Sequence, residues 1–137
     1  LTGTYNLELA RIYQHVLKNE RSNFRVVYGM DGYDEITLTD NTRSLGKYSD
    51  EIINADCFGH TSLAEKNLIA GETINDAAQI LVSILKGNGT NAQNAVIAAN
   101  VASALQLFHP NEDLKSTFNE ALSFIKSGQG NKHFKLN

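Results

Sequence analysis

Three carboxylates occur within the five residues from Asp31 to Glu35, in the order Asp-Gly-Tyr-Asp-Glu. The segment lies between two stretches whose apolar patterns predict β-strands, and loops at strand ends are where α/β proteins bind ligands. Adjacent carboxylates suit a hard cation, because Mg²⁺ takes one or two of them and leaves its other positions to water or substrate phosphates. Spacing alone favours the alternative, a solvated acidic turn, since Asp-Gly is an ordinary turn dipeptide.

The geometry of the segment decides whether Asp34 and Glu35 can act together. On a regular strand the two side chains would point to opposite faces. A bend just before the strand would allow both carboxylates to turn towards one ion. The pair therefore needs an irregular backbone at these two positions if it is to bind a metal.

The histidines and the single cysteine offer weaker candidates. His15, His60, His109 and His133 do not have the spacing of metal ligands relative to one another, to the cysteine or to paired carboxylates. Cys57 and His60 could form a nucleophile–base pair in principle. A lone buried thiol is the more common situation, so we expect Cys57 to be buried and inert.

Composition argues against several classes of function. The 137 residues include 12 Lys and Arg against 15 Asp and Glu, and the formal net charge is −3. This mild acidity gives no support for binding to nucleic acid or to a membrane surface. No apolar run approaches the roughly 20 residues of a membrane span. One cysteine excludes an intramolecular disulfide, and a reduced, cytoplasmic location is the expectation.

The first half of the chain predicts a helix followed by strands. Residues 5–19 are amphipathic, with Leu9, Tyr13, Val16 and Leu17 expected on the buried face. Short strands are predicted at 24–28, at 35–39 and, more weakly, at 42–48. Residues 49–71 show no clean period, apart from an extended stretch at 52–53.

The second half predicts three helices. The first opens with a capping box at residues 73–76 and closes at Gly87. The second, residues 92–108, is rich in alanine and apolar nearly all round, which is typical of a buried central helix. Asn111 is expected to cap the last helix, which ends at Gly128. The order predicts an α/β fold, but three strands are few for a free-standing sheet. We therefore expect an incomplete piece of a larger domain.

Four segments resemble the anthranilate phosphoribosyltransferase family and cover nearly the whole chain in the family's order. They are LTGTYNLELA, VVYGMDGYDEITLTDNTR, AGETINDAAQILVSILKGNGTNAQNAVIAANVASAL and ALSFIKSGQG. The Asp-Gly-x-Asp-Glu run in the second is the specific part. Tyr28 stands where the family often has His, Met30 enlarges the start of the loop, and residues 43–59 look shorter than the family's strand-turn-strand.

The resemblance implies a fold and a site. Residues 1–137 would be the C-terminal portion of a nucleoside phosphorylase/phosphoribosyltransferase-type α/β domain, with few strands and three C-terminal helices. Asp34 and Glu35 match the family's pair that binds the Mg²⁺ accompanying the diphosphate of phosphoribosyl pyrophosphate. The implied reaction transfers the phosphoribosyl group to anthranilate and releases pyrophosphate, in tryptophan biosynthesis.

The resemblance also implies what this chain lacks. The family's phosphate-binding motifs, its anthranilate-contacting Arg and the helical N-terminal domain through which members form homodimers have no counterpart here. These 137 residues alone are therefore expected to be inactive. Two other functions stay open: a related nucleoside phosphorylase, and a non-catalytic paralogue that binds nucleic acid.

Overall fold

The computed structural model describes residues 1–134, which form one mixed α/β unit. Its strands and helices are β1 (Thr2–Gly3), α1 (Leu7–Leu17), β2 (Arg25–Gly29), β3 (Thr42–Gly46), β4 (Asp50–Ile53), α2 (Ile74–Leu85), α3 (Asn91–Leu105), α4 (Leu114–Lys126) and α5 (Gly130–His133), with 3₁₀ turns at Ala55–Phe58 and Glu65–Leu68. Within the described part of the chain, no helix is both long and apolar enough to cross a membrane.

The four strands form one sheet in the order β1-β2-β3-β4. β1 runs parallel to β2, with Gly3 opposite Val27, and α1 makes the crossover between them. β2, β3 and β4 then run antiparallel to their neighbours, with Arg25 opposite Gly46 at one end of β2. The predicted strands at 24–28 and 42–48 and the extended stretch at 52–53 are confirmed by β2, β3 and β4.

Helices cover both faces of the sheet, and the neighbouring residues Val26 and Val27 of β2 show the division. Val26 packs with Ala10 of α1, whereas Val27 packs with the alanines of α3 and with Phe118 of α4. Both valines are almost fully buried, so this strand is covered on both faces of the sheet. The alanine-rich helix is the predicted central one, because its small side chains allow α3 to lie close to the sheet and to α4.

The buried face of α1 differs from the predicted one. Tyr13 and Val16 are 39% and 60% exposed, while Ala10 is completely buried. The helix is turned because Ala10 allows close approach to the sheet and because Gln14 donates a hydrogen bond from Nε2 to the Gly46 carbonyl at 2.7 Å. A polar residue thus lies at the contact between α1 and β3, which apolar periodicity could not indicate.

The predicted strand at 35–39 is wrong. Residues 34 and 35 form a bend, and residues 36–39 belong to no strand although Ile36 and Leu38 are buried. Leu38 has a left-handed backbone with φ of 61°, a conformation that no strand residue adopts. The alternating pattern therefore marks a loop that sends apolar side chains into the core.

The predicted caps were right at one helix and wrong at another. Thr73 and Asp76 form the expected capping box at the start of α2. α4 is capped by Asp113, whose carboxylate accepts from the Ser116 backbone N–H at 3.0 Å, and not by Asn111. The fold places α3 directly behind the loop between β2 and β3, which carries the acidic segment.

Candidate functional site

Asp34 and Glu35 lie on the loop of residues 30–41 that connects β2 to β3. Both side chains are exposed, and both residues belong to a bend, so the irregular backbone that a shared ion requires is present. Neither carboxylate forms an ion pair with any residue in the described range 1–134. The two acidic groups therefore remain available to a ligand from solution.

Asp31 has a different role, because it organises the loop. Its carboxylate accepts hydrogen bonds from the hydroxyls of Thr37, at 2.6 Å, and of Thr39. Thr37 itself is buried. Across residues 1–134, no three acidic, His or Cys side chains lie close enough together to hold a metal ion. The sequence motif of three carboxylates thus separates into one structural residue and one exposed pair.

Asn100 of α3 fixes the backbone next to this pair. Its Oδ1 accepts from the Ile36 N–H at 3.1 Å, and its Nδ2 donates to the Ile36 carbonyl at 2.8 Å. Nδ2 also donates to the Val96 carbonyl of the same helix at 3.0 Å. The side-chain amide therefore pairs with Ile36 as a neighbouring strand would, at a position where the loop has no strand beside it.

β1 supports the same loop from another side. A Cβ atom added to Gly3 would lie 1.5 Å from the Asp34 carbonyl oxygen, so only glycine permits this approach. At the end of β2, Gly29 approaches the loop less closely, since its added Cβ would lie 2.4 Å from Asp31 Oδ1 and 3.0 Å from the Tyr33 carbonyl oxygen. The acidic segment therefore packs against two glycines, Gly3 of β1 and Gly29 of β2, which belong to neighbouring strands.

The far end of the loop is held by residues 62 and 63. The Leu63 N–H donates to the Leu38 carbonyl at 2.9 Å, and the Ser62 hydroxyl donates to the same carbonyl at 3.3 Å. These bonds stabilise the left-handed backbone of Leu38. The loop is consequently held both at its acidic segment and at Leu38, and the exposed carboxylates of Asp34 and Glu35 lie on a backbone that is fixed at both places.

The electrostatics of the loop favour a cation at Glu35. Removal of part of its hydration by the surrounding protein raises the pKa of Glu35 above its ordinary value, and repulsion from Asp34 and Asp31 raises it further. A nearby positive charge would relieve that repulsion. The protein around Glu35 thus makes its ionised form less favourable than that of a free carboxylate, and a bound cation would offset this effect.

Glu35 also lines a cleft of about 400 Å³. Thr37 and Thr39 also line it, together with Glu65, residues 68–70 and residues of α2 and α3. The hydroxyl of Tyr33, another lining residue, donates to Glu65 Oε1 at 3.5 Å. The cleft is lined by both oxygen-bearing and apolar side chains, so it can hold a small molecule that has a polar and an apolar part.

The two carboxylates fit a Mg²⁺ ion that takes only part of its ligands from the protein. Two exposed carboxylates cannot enclose a cation, but Mg²⁺ ordinarily uses one or two carboxylates and takes its remaining ligands from water and substrate phosphates. The exposed pair Asp34 and Glu35 satisfies that requirement. The site therefore suits a metal that arrives with, or is completed by, a phosphorylated ligand.

The remaining sequence candidates do not form a second site. Cys57 is exposed, which contradicts the expectation of a buried thiol. The Cys57 thiol donates to Asn54 Oδ1 at 3.4 Å, while the His60 ring packs edge-on against Phe118 and its Nδ1 contacts the Thr61 carbonyl. The cysteine and the histidine thus have separate partners, and no nucleophile–base hydrogen bond links them.

The sequence did not reveal that two residues support the acidic loop. Gly3 stands in the opening segment and Asn100 in the alanine-rich helix, 31 and 65 positions from Asp34 and Glu35 respectively. The signal for Asn100 was a polar residue in the middle of a buried helix, which requires a partner. Sequence could indicate that need but not the identity of the partner.

Fold and site together define a mixed α/β domain that presents an oxygen-rich, metal-compatible loop beside a cleft. Residues 1–131 match the family described as "Glycosyl transferase family, a/b domain". The chain belongs to this glycosyl transferase family.

The curated relatives agree with that assignment. The chain is 37% identical to the anthranilate phosphoribosyltransferase of Christiangramia forsetii over 98% of its length and 40% of the relative's. It is 36% identical to that of Flavobacterium psychrophilum, over 95% of the chain and 39% of the relative. The chain therefore spans about 40% of the length of these curated relatives.

Among solved structures, the anthranilate phosphoribosyltransferase of Thermus thermophilus superposes with a TM-score of 0.80 at 19% identity, over 93% of this chain and 38% of that one. The Saccharomyces cerevisiae enzyme in complex with PRPP and Mg gives a TM-score of 0.78 at 20% identity, over 95% and 38%. These likenesses establish the fold, and the predicted phosphoribosyltransferase-type α/β fragment is confirmed.

Proposed function

We propose that this chain is the C-terminal part of an anthranilate phosphoribosyltransferase, which transfers the phosphoribosyl group from phosphoribosyl pyrophosphate to anthranilate. The observation that carries the proposal is the exposed pair Asp34 and Glu35, held on an ordered bend and free of ion pairs within the described residues. The identity to curated anthranilate phosphoribosyltransferases over almost the whole chain supports it. The yeast relative's complex with PRPP and Mg supports the choice of metal and donor.

In this proposal, Asp34 and Glu35 bind Mg²⁺ together with the diphosphate of the donor. When bound, Mg²⁺ supplies positive charge that offsets the negative charge gained by the leaving pyrophosphate. The chain's own contribution is to hold the two carboxylates in place, through the support given by Gly3 and Asn100. Anthranilate carries an aromatic amine that is uncharged at neutral pH, so positioning matters more than a strong base.

The whole activity requires parts outside these residues. The proposed full-length protein supplies the phosphate-binding and anthranilate-binding groups and a helical N-terminal domain for homodimer formation, and it acts in the cytoplasm. The relatives are about two and a half times as long as the matched region, which is consistent with such a division.

The proposal is tested by neutralising the pair in the full-length protein. Asp34→Asn combined with Glu35→Gln should raise the Mg²⁺ concentration for half-maximal phosphoribosyl transfer by about tenfold or more, since loss of even an outer-shell partner of a metal ligand costs this much. Asp40→Asn is the matched control, because Asp40 is an exposed carboxylate of the same loop whose Oδ1 only accepts from the adjacent Asn41 N–H.

The outcome separates the proposal from its alternatives. An unchanged Mg²⁺ requirement in the double variant would make the pair structural and contradict the proposal. Consumption of a nucleoside with inorganic phosphate, and no transfer to anthranilate, would identify a nucleoside phosphorylase instead. Salt-dependent binding of single-stranded nucleic acid without turnover would identify a binding paralogue.

A further inference from the structure

We infer that Asn100 is the positioning residue of the metal site, acting through the peptide bond between Glu35 and Ile36. This inference rests on the proposed function, and it assigns a role to a residue that does not itself touch the metal or the substrates. The Asn100 carboxamide forms two hydrogen bonds with the backbone of Ile36: it accepts from the N–H at 3.1 Å and donates to the carbonyl at 2.8 Å.

The first hydrogen bond acts directly on Glu35. The Ile36 N–H belongs to the peptide group whose carbonyl is that of Glu35, so a fixed N–H direction fixes the backbone that carries the Glu35 side chain. Ile36 is itself 1% exposed, which prevents the adjoining segment from moving into solvent. Asn100 thereby connects its helix to Ile36, 64 residues away in the sequence, and through Ile36 to the exposed carboxylate of Glu35.

The helix gains little from an asparagine at this position. Asparagine is a weaker helix former than alanine, and six of the other fourteen residues of α3 are alanine. The one hydrogen bond of Asn100 within its helix, to the Val96 carbonyl, could be made by a serine. What only the carboxamide supplies is simultaneous donation and acceptance at one peptide unit.

Asn94 provides a matched control on the same helix. It is buried, and its Nδ2 donates to the Gly89 carbonyl at 3.0 Å, in the connection between α2 and α3. Removal of the Asn94 side chain therefore removes a buried amide and a helix-to-loop bond, as at Asn100, but not the contact with Ile36. A purely structural role for Asn100 predicts similar consequences for both variants.

The experiment compares Asn100→Ala and Asn94→Ala in the full-length protein. Mn²⁺ alone is titrated and followed by water-proton relaxation, which reports bound metal independently of turnover, and the Mg²⁺ dependence of transfer is measured in parallel. Loss of an outer-shell partner of a metal ligand weakens metal binding by about tenfold or more. We expect the Mn²⁺ Kd to rise by about this factor in Asn100→Ala and to stay within about twofold in Asn94→Ala.

Asn100→Ser is a second variant, to be used if Asn100→Ala does not fold. Serine keeps a hydrogen bond to the Val96 carbonyl but cannot form the two hydrogen bonds to Ile36. It should show the same weakened Mn²⁺ binding. Equal Kd values for wild type and the Asn100 variants, or equal weakening in Asn94→Ala, would overturn the inference. Should neutralising Asp34 and Glu35 also leave Mn²⁺ binding unchanged, the proposed function itself would fail, so the two failures are distinguishable.

Discussion

Substitution of Gly3 by alanine should damage the metal site from the opposite side of the loop. The new Cβ would lie 1.5 Å from the Asp34 carbonyl oxygen and 2.4 Å from its carbonyl carbon, whereas real Cβ contacts are essentially never shorter than 3.0 Å. Either β1 or the acidic bend must therefore move by about 1.5 Å. No rotation of a side chain can relieve this clash, because the contacted atoms belong to the backbone.

The acidic bend is the part that should give way. β1 is held to β2 by the pairing of Gly3 with Val27 and by the Thr4 N–H, which donates to the Val27 carbonyl at 2.9 Å. Asp34 lies in an exposed bend. Overpacking of this kind costs about 1–3 kcal/mol of stability, and a misplacement of about 1 Å at a reacting centre can cost about a hundredfold in rate.

The assay is the Mg²⁺ dependence of phosphoribosyl transfer by the full-length protein, with thermal unfolding measured alongside. Gly3→Ala should raise the half-saturating Mg²⁺ concentration by about tenfold or more. Gly46→Ala is the control, since its Cβ would lie 2.5 Å from the Ser49 hydroxyl oxygen, a side-chain atom that can rotate away, and 3.7 Å from the nearest backbone oxygen. If a folded Gly3→Ala protein had an unchanged Mg²⁺ requirement, β1 and not the loop would have moved to relieve the clash. That result would refute the supporting role assigned to Gly3.

Three further predictions follow from the loop, from α2 and from the extent of the chain. Asp31→Asn should lower the free energy of unfolding by about 1 kcal/mol in urea titrations, since it weakens the hydrogen bonds from Thr37 and Thr39; an unchanged midpoint would contradict the organising role of Asp31. The hydrogen bond from the Thr73 hydroxyl, followed by that from its backbone, lowers the pKa of Asp76 in the folded state. Its stabilising effect is therefore present above the ordinary carboxyl pKa and is lost as the pH falls through the lower folded value. The stability difference between wild type and Asp76→Asn should shrink below about pH 4, and a difference independent of pH between 2 and about 6 would contradict the capping role. The 137 residues alone should give no turnover of phosphoribosyl pyrophosphate, whereas the full-length protein should; transfer by the isolated chain would show that the proposed division is wrong.

Much of the architecture could be predicted because it depends on local chemistry. The capping box at Thr73 and Asp76 and the burial of the alanine-rich helix follow from short-range patterns that the fold preserves. The strand Thr42–Gly46 was also predictable, although its apolar signal was weak. The exposed bend at Asp34 and Glu35 was anticipated as the condition for a shared ion.

The errors concern contacts between distant residues. Alternation at 35–39 resembled a strand because Ile36 and Leu38 are both buried, but the left-handed backbone at Leu38 places them in a loop. The face of α1 was predicted wrongly because Gln14 finds a carbonyl on β3, 32 residues away. The pairing of Asn100 with Ile36 likewise depends on the folded arrangement of α3 against the sheet.

The location of the metal is the central claim. Crystals of the full-length protein should be prepared with phosphoribosyl pyrophosphate and Mn²⁺, and the anomalous signal of manganese should be measured. The account predicts an anomalous peak within direct coordination distance of the Asp34 and Glu35 carboxylates, beside the diphosphate. A diphosphate bound with its manganese elsewhere, and none at Asp34 or Glu35, would contradict it.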